Sequence, residues 1–440
     1  MKIVVQGLWH LGAVTAACLA AAGHTVVGLD GDAQTVAGLQ AGLPPIFEPG
    51  LEALVQAGLA SGRLHFTTDP VEALDHADLL WVTYDTPVDE EDRADVSFVL
   101  DQVAAVFSHL PAGIVVLISS QLPVGSTRQL AQMYAQAYPE RRAFFACSPE
   151  NLRLGKAIES FTRPDRVVVG TDDDAAQARV AQALAPFTDR IEWMAVASAE
   201  MTKHALNAFL ATSVTFINEL AILCEQVGAD AKEVERGLKT DARIGPRAYL
   251  GPGSAFAGGT LARDVAYLIQ RGQECGLPVH LMSAVQASNQ AHQEWPRRQL
   301  RALLYDLRGQ PVAVLGLTYK PGTNTLRRSS AVETCLWLHQ QGARVQAYDP
   351  LVSSLPDDLA QAINLQSSVK DALCGAVAVL IATGCPEFRS IAAADLVNWM
   401  AQPIVIDPDR FLVSPLAAEP RICYIAVGQP FRNPSTGGTL

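Results

Sequence analysis

No Cys-x-x-Cys pair occurs anywhere in the chain, and its absence removes the commonest zinc-binding and thioredoxin-type readings; no metal site is expected. The eight cysteines stand apart at positions 18, 147, 224, 275, 335, 374, 385 and 423. Thiols scattered in this way read as reduced and mostly buried, as in a cytoplasmic protein. Charge is also scarce, with 18% of residues being Asp, Glu, Lys or Arg and a net balance of −12. An acidic chain is a poor partner for nucleic acid or an anionic membrane surface, so neither is expected. A small anionic ligand is not excluded, because a cradle of backbone N–H groups acts locally. No signal-peptide pattern is read at Met1-Lys2-Ile3-Val4-Val5, which enters a buried-strand pattern directly. The apolar stretch 13–22 is too short for a membrane span and reads as a buried helix. What the chain has in quantity is apolar residues, 49% of 440, enough for the cores of two or three domains.

Short apolar runs and helical patterns alternate through the first part of the chain. Residues 2–6, 25–29, 78–83, 114–119, 143–146 and 166–169 are expected strands, and 12–22 an expected helix. Continuous Val, Ile and Leu runs separated by helices predict a parallel sheet covered on both faces. From about Ala197 the pattern changes. Residues 198–227 place apolar side chains at helical spacing without Pro or Gly, so one long helix is expected, with helical chain continuing to about residue 300. A helical block between sheet domains commonly serves as a spacer or dimer interface. A second strand series follows Pro311, at 312–316, 345–347, 377–382 and 404–406, with a helix over 331–342. The two series echo each other, Val5-Gln6-Gly7 against Val314-Leu315-Gly316 and Leu29-Asp30 against Tyr348-Asp349. The expected architecture is α/β, with two Rossmann-like parallel-sheet domains (1–196 and 301–440) flanking a central helical domain (197–300). The last ten residues read as a loose tail.

The first strand-to-helix turn is Gly7-Leu8-Trp9-His10-Leu11-Gly12. In the dinucleotide fingerprint G-x-G-x-x-G the first glycine makes the turn, the second lets the backbone approach pyrophosphate, and the third lets helix pack on strand. The first and third are present, and Trp9 stands at the second, where a side chain crowds the pyrophosphate. Asp30 ends the second strand, where an acid binds a ribose 2′-OH and favours NAD over NADP. The turn alone leaves two readings open, an NAD site and a Rossmann-like domain that no longer holds a dinucleotide.

Further segments follow in a fixed order. They are Pro45-Ile46-Phe47-Glu48-Pro49-Gly50-Leu51, Thr86-Pro87, Pro123-Val124-Gly125-Ser126 and Ser148-Pro149-Glu150-Asn151-Leu152-Arg153. Glu200, Lys203 and Asn207 then fit E-x-x-K-x-x-x-N, residues 256–264 read F-A-G-G-T-L-A-R-D, and Gly316-Leu317-Thr318-Tyr319-Lys320-Pro321 closes the set. From residue 1 to about 410 the chain resembles the UDP-glucose/GDP-mannose dehydrogenase family. The resemblance implies NAD as cofactor, a UDP-sugar as substrate and a homodimer. It implies Gly7, Leu11, Gly12, Asp30, Thr86, Gln121 and Arg327 at the cofactor. At the substrate it implies Asn151, Leu152, Arg153, Arg243, Phe256, Gly258 and Lys320. Lys203, Asn207, Glu150 and Asp264 would surround a water and the reacting carbon. The family's reaction removes a hydride from the sugar C6, traps the aldehyde on a cysteine, removes a second hydride and hydrolyses the thioester to a uronate.

Departures from the family pattern gather at this chemistry. Thr260 occupies the cysteine position, Gln121 replaces a threonine, Leu154 a glutamate, Arg263 a lysine, Asp85 a glycine, and Asn324-Thr325 an acidic pair. A secondary hydroxyl is a poor nucleophile and a poor leaving group beside a thiolate. Cys147 is the nearest alternative thiol by sequence and reads as buried and structural. One expectation is an NAD-dependent dehydrogenase that stops at the 6-aldehyde, with full oxidation through an aldehyde hydrate left open. The other is a family member without catalysis that binds a nucleotide sugar or a partner protein. Retention of Lys203, Asn207, Glu150 and Asp264 favours the first.

Overall fold

The computed structural model describes residues 1–87, 94–150, 152–412, 416 and 419–430. Asn151 and the expected tail, 431–440, lie outside the described residues. The chain divides into two compact units, Met1–Ala205 and Leu206–Leu440.

The first unit holds one sheet of eight strands: β1 (Lys2–Gln6), β2 (Thr25–Leu29), β3 (Leu64–Thr67), β4 (Leu79–Val82), β5 (Val115–Ile118), β6 (Phe144–Cys147), β7 (Val167–Gly170) and β8 (Ile191–Met194). Their spatial order is β3-β2-β1-β4-β5-β6-β7-β8. Chain order reverses between β1 and β4, the switch point at which doubly wound sheets bind ligands. The strands are buried on both faces because their side chains alternate between two cores. Ile3 and Val5 enter one core with the Ala-rich helix His10–Ala21, and Val4 enters the other with Leu80 and Val82. The expected parallel pairing fails at one place: β6 meets β7 antiparallel, through the single pair Cys147 and Gly170.

The second unit holds β9 (Pro311–Leu315), β10 (Arg344–Tyr348), β11 (Ile363–Leu365), β12 (Ala378–Ile381), β13 (Ile404–Ile406) and β14 (Cys423–Ile425). The order β11-β10-β9-β12-β13-β14 repeats that of the first six strands of the other sheet. The echo extends to single bonds. Leu8 N donates to Asp30 Oδ2 at 2.7 Å after β1, and Leu317 N donates to Asp349 Oδ2 at 2.8 Å after β9. Between the sheets in sequence lies a helical stretch that includes Val196–Val227, a helix long and apolar enough to cross a membrane by length and composition.

Near the end of that helix, Glu225 Oε1 accepts from Trp295 Nε1 at 3.0 Å and from Gly428 N at 2.9 Å. Burial pushes its carboxyl pKa above the ordinary value, and the Gly428 and Trp295 bonds oppose that rise. A raised carboxyl pKa means that the folded state holds the proton more tightly than the unfolded state. The resulting stability is present below the unfolded value and is lost as pH rises through the folded one. Glu225→Gln keeps an oxygen for both donors and removes the titration. Its Tm is therefore expected to gain on that of the unmodified protein as pH rises from about 4, whereas Glu225→Ala, which orphans both donors, costs about 1–3 kcal/mol per group. Parallel melting curves of the unmodified protein and the two variants from pH 4 upward check both; a Tm difference between Glu225→Gln and the unmodified protein that is independent of pH would contradict the raised pKa.

Candidate active site

The turn after β1 requires its two glycines for different reasons. Gly7 has φ +93°, and a Cβ there would stand 2.8 Å from the backbone and ring of Tyr84. A Cβ on Gly12 would stand 1.7 Å from the Gly7 carbonyl oxygen, so the first turn of the helix can pack this close to the end of β1 only with a glycine there. Trp9 is the N-cap of that helix at φ −74°, ψ −150°, a conformation open to any L-residue, and its side chain is half exposed. The backbone at the second position of the fingerprint thus needs no glycine. Asp30 is fixed by two amides, Leu8 N at 2.7 Å and Asp32 N at 2.9 Å. Thr86 Oγ1 donates to the Gln121 carbonyl at 2.7 Å, joining the loops after β4 and β5. Gly7, Leu11, Gly12, Asp30, Thr86 and Gln121 therefore follow the carboxyl ends of adjacent strands. The glycine pair and the fixed acid fit a dinucleotide. Arg327 belongs to the second unit, where it is exposed.

Lys203 lies in the first unit, on the opening turns of the helix Val196–Val227, and is 9% exposed. Its Nζ donates to the Glu150 carbonyl at 2.7 Å and lies 3.3 Å from Glu150 Oε1. Leu152 N donates to the other carboxylate oxygen at 2.8 Å. One turn before Lys203, the buried Glu200 accepts from Gly125 N at 2.7 Å and Thr127 N at 2.9 Å. It thereby caps the helix Ser126–Ala137 and fixes the long helix against it. A cavity of about 10 Å³ is lined by Lys203, Glu200, His204, Gln121, Pro149 and Cys147, room for about one water. Cys147 is thus beside the lysine, but burial, followed by the charge of Glu200, drives its thiol pKa far up. It stays protonated and unreactive. Arg153 is exposed.

In the second unit Asn207 Nδ2 donates to Asp264 Oδ2, with both residues buried. Asp264 and Thr260 share the helix Thr260–Glu274, which Thr260 opens from an exposed position. Gly259 before it has φ +101°, and a Cβ there would come 2.9 Å from the Tyr319 hydroxyl. Phe256 is clamped by Asn289, which accepts from Phe256 N at 3.0 Å and donates to its carbonyl at 2.8 Å; Gly258 follows in the same loop. A cavity of about 340 Å³ is walled by Ser254, Tyr319, Lys320, Thr383, Asp409 and neighbouring residues. Lys320 thus lines this cavity. Arg243 stands apart in solvent, forked onto Asp241 through Nε at 3.0 Å and a terminal nitrogen at 2.7 Å. Sequence reasoning missed Asp409, which accepts from Ser254 N at 2.7 Å and Ser254 Oγ at 2.9 Å. It also missed the bonds of Glu48, although the motif around that residue marked the segment.

Comparison with known proteins identifies the family. Residues 1–188 match the NAD binding domain of the UDP-glucose/GDP-mannose dehydrogenase family, 197–291 its central domain and 313–414 its UDP binding domain. UDP-glucose 6-dehydrogenase of Rhizobium meliloti (strain 1021) is 34% identical over 443 residues, spanning 98% of this chain and 100% of that protein. A UDP-glucose dehydrogenase structure from Pyrobaculum islandicum has a TM-score of 0.83 at 31% identity, covering 92% of this chain and 93% of that one. A UDP-D-ManNAc dehydrogenase structure from Pyrococcus horikoshii has a TM-score of 0.84 at 25% identity, covering 98% and 99%. With three domain matches in sequence order and a relative of this identity along nearly its whole length, the chain belongs to the UDP-glucose/GDP-mannose dehydrogenase family.

Proposed function

We propose that the chain is an NAD-dependent dehydrogenase that oxidises C6 of a UDP-sugar, with UDP-glucose as the first substrate to test, and that it releases the 6-aldehyde. The observation that carries this reading is the buried Lys203 ammonium, held by the carbonyl and carboxylate of Glu150 beside a water-sized cavity. Bound NAD supplies the hydride acceptor. A cation already desolvated and fixed stabilises oxygen charge developing on the substrate without reorganising. Glu150, just past the carboxyl end of β6, would accept the proton that leaves the substrate hydroxyl, directly or through a water. Asn207 stands one helical turn beyond Lys203, and the bond from its Nδ2 to Asp264 sets which way its amide faces. Thr260 offers a hydroxyl where the family has a thiol, so the aldehyde is not trapped covalently. Purified protein with NAD and UDP-sugars tests the reading by NADH absorbance; no NADH from UDP-glucose, UDP-N-acetyl sugars or GDP-mannose would remove it.

The assembly proposed is a homodimer through the long helix. Phe209, Phe216 and Leu223 lie seven residues apart and are 68%, 49% and 59% exposed, an apolar stripe at coiled-coil spacing. Phe216→Glu removes about 3–6 kcal/mol of burial across two copies, weakening the dimer by roughly 10²- to 10⁴-fold. Light scattering after size exclusion should report a monomer, and an unchanged dimer mass would take this helix out of the interface. All eight cysteines are free thiols, which supports a reducing compartment, the cytoplasm. Glu200, Lys203 and Glu225 engaged along the helix support its reading as part of a water-soluble protein, without a membrane partner.

A further inference from the structure

We propose that Glu48 is a positioning residue that makes cofactor binding and sugar binding interdependent. Nothing in the chemistry above uses this carboxylate, yet it is 4% exposed and receives three donors, all within the first unit. Oε1 accepts from Ala157 N at 2.8 Å. Oε2 accepts from Gly155 N at 2.8 Å and from the His10 Nε2–H at 3.0 Å. These donors belong to two different functional segments. His10 is the first residue of the helix His10–Ala21, inside the turn assigned to the cofactor pyrophosphate. Gly155 and Ala157 close the loop that opens with Glu150, the residue that holds Lys203, and passes through Arg153.

The geometry makes the link specific. Gly155 has φ +84°, a left-handed turn that glycine adopts without strain, and Lys156 N bonds the Arg153 carbonyl at 2.8 Å across it. A carboxylate has only acceptors, so all three N–H groups must point inward for the arrangement to close. Being buried, it makes charge-assisted bonds that are costly to leave unmade. Moving either segment alone breaks them. A ligand that settles the turn therefore also settles the loop, and ordering done once need not be repeated for the second ligand. The inference rests on the placement of NAD at the Gly7–Gly12 turn and of the sugar at the Glu150 loop.

Fluorescence titration of the full-length protein with NADH, alone, with UDP and with UDP-glucose, tests it. Only UDP-glucose carries the sugar that meets the loop. It should change NADH affinity relative to UDP by about fivefold or more, the usual size of a coupling between sites. Glu48→Gln sets an amide donor against either the Ala157 N–H or the Gly155 and His10 donors and should bring that ratio to one. His10→Phe removes one bond at a partly exposed position, where loss of folding is less of a risk, and should shrink the ratio as well. A ratio of one in the unmodified protein, or an undiminished ratio in both folded variants, overturns the proposal while leaving the dehydrogenase reading in place. Failure of the unmodified protein to bind NADH would instead overturn both.

Discussion

Purified protein supplied with NAD and UDP-glucose yields one NADH per sugar and an aldehyde that a hydrazine traps, and Thr260→Cys raises the yield to two NADH with a uronate as product. The two oxidations make different demands. The first needs an acceptor for the C6 hydride, which NAD would supply, and stabilisation of the alkoxide, the role proposed for the retained Lys203. The second requires a nucleophile to add to the aldehyde, so that a hydride can leave a tetrahedral carbon and a hydrolysable acyl group remains. A thiol is a few per cent ionised at pH 7; with water's pKa of ~15.7 as the yardstick for a hydroxyl, Thr260 presents roughly seven orders of magnitude less of its anion. The position itself remains suited to a thiolate. Residue 260 opens a helix of 15 residues, and a helix N-terminus lowers a cysteine pKa. The introduced sulfur would inherit that field. Cys147 offers no detour, since burial holds its thiol protonated. Brisk uronate formation by the unmodified protein would show that Thr260 is no obstacle. A Thr260→Cys protein that still stops at one NADH would move the defect to Gln121 or Leu154. Thr260→Ser should behave as the unmodified protein does.

The fold was legible where strands are buried on both sides. The four strands that the pattern of apolar runs did not reveal, β3, β8, β11 and β14, are the four sheet edges. An edge strand pairs on one side only and can be short and polar, as His65 in β3 and Glu192 in β8 are, so its run is weak. The antiparallel rung between Cys147 and Gly170 depends on how the chain returns to the sheet, which periodicity does not report. At the site, one-turn spacing put Lys203 and Asn207 on one helix face, but the partners holding them come from segments 53 and 57 residues away. The doubt over Trp9 concerns the bulk of its side chain, whereas the φ of the folded turn answers only for the backbone. Glu48 shows the same limit more sharply. Its motif was visible, but its donors lie 38, 107 and 109 residues away, and no local pattern connects them.

Lys203→Met should lower kcat by about 10²- to 10³-fold, the loss that follows removal of one preorganised stabiliser of oxygen charge, while NADH affinity changes little. The prediction separates a catalytic lysine from a structural one. Removing Nζ leaves the Glu150 carbonyl and one carboxylate oxygen without this donor, a stability cost of about 1–3 kcal/mol, but Leu152 N still holds the other oxygen. Structural loss alone would lower Tm and the active fraction while sparing the turnover of each folded molecule. Active-site titration with NADH, set beside kcat, tells the two apart. Lys203→Arg should not rescue the reaction. A planar fork needs more width than a cavity of about 10 Å³ provides, and its donors diverge where an ammonium points all of its own from one atom. Small alkylamines added to Lys203→Ala should restore part of the rate, because the missing group is a compact cation in a space that truncation enlarges. Turnover per folded molecule that is unchanged in Lys203→Met would strip this lysine of its role and leave Asn207 as the remaining candidate for stabilising the alkoxide.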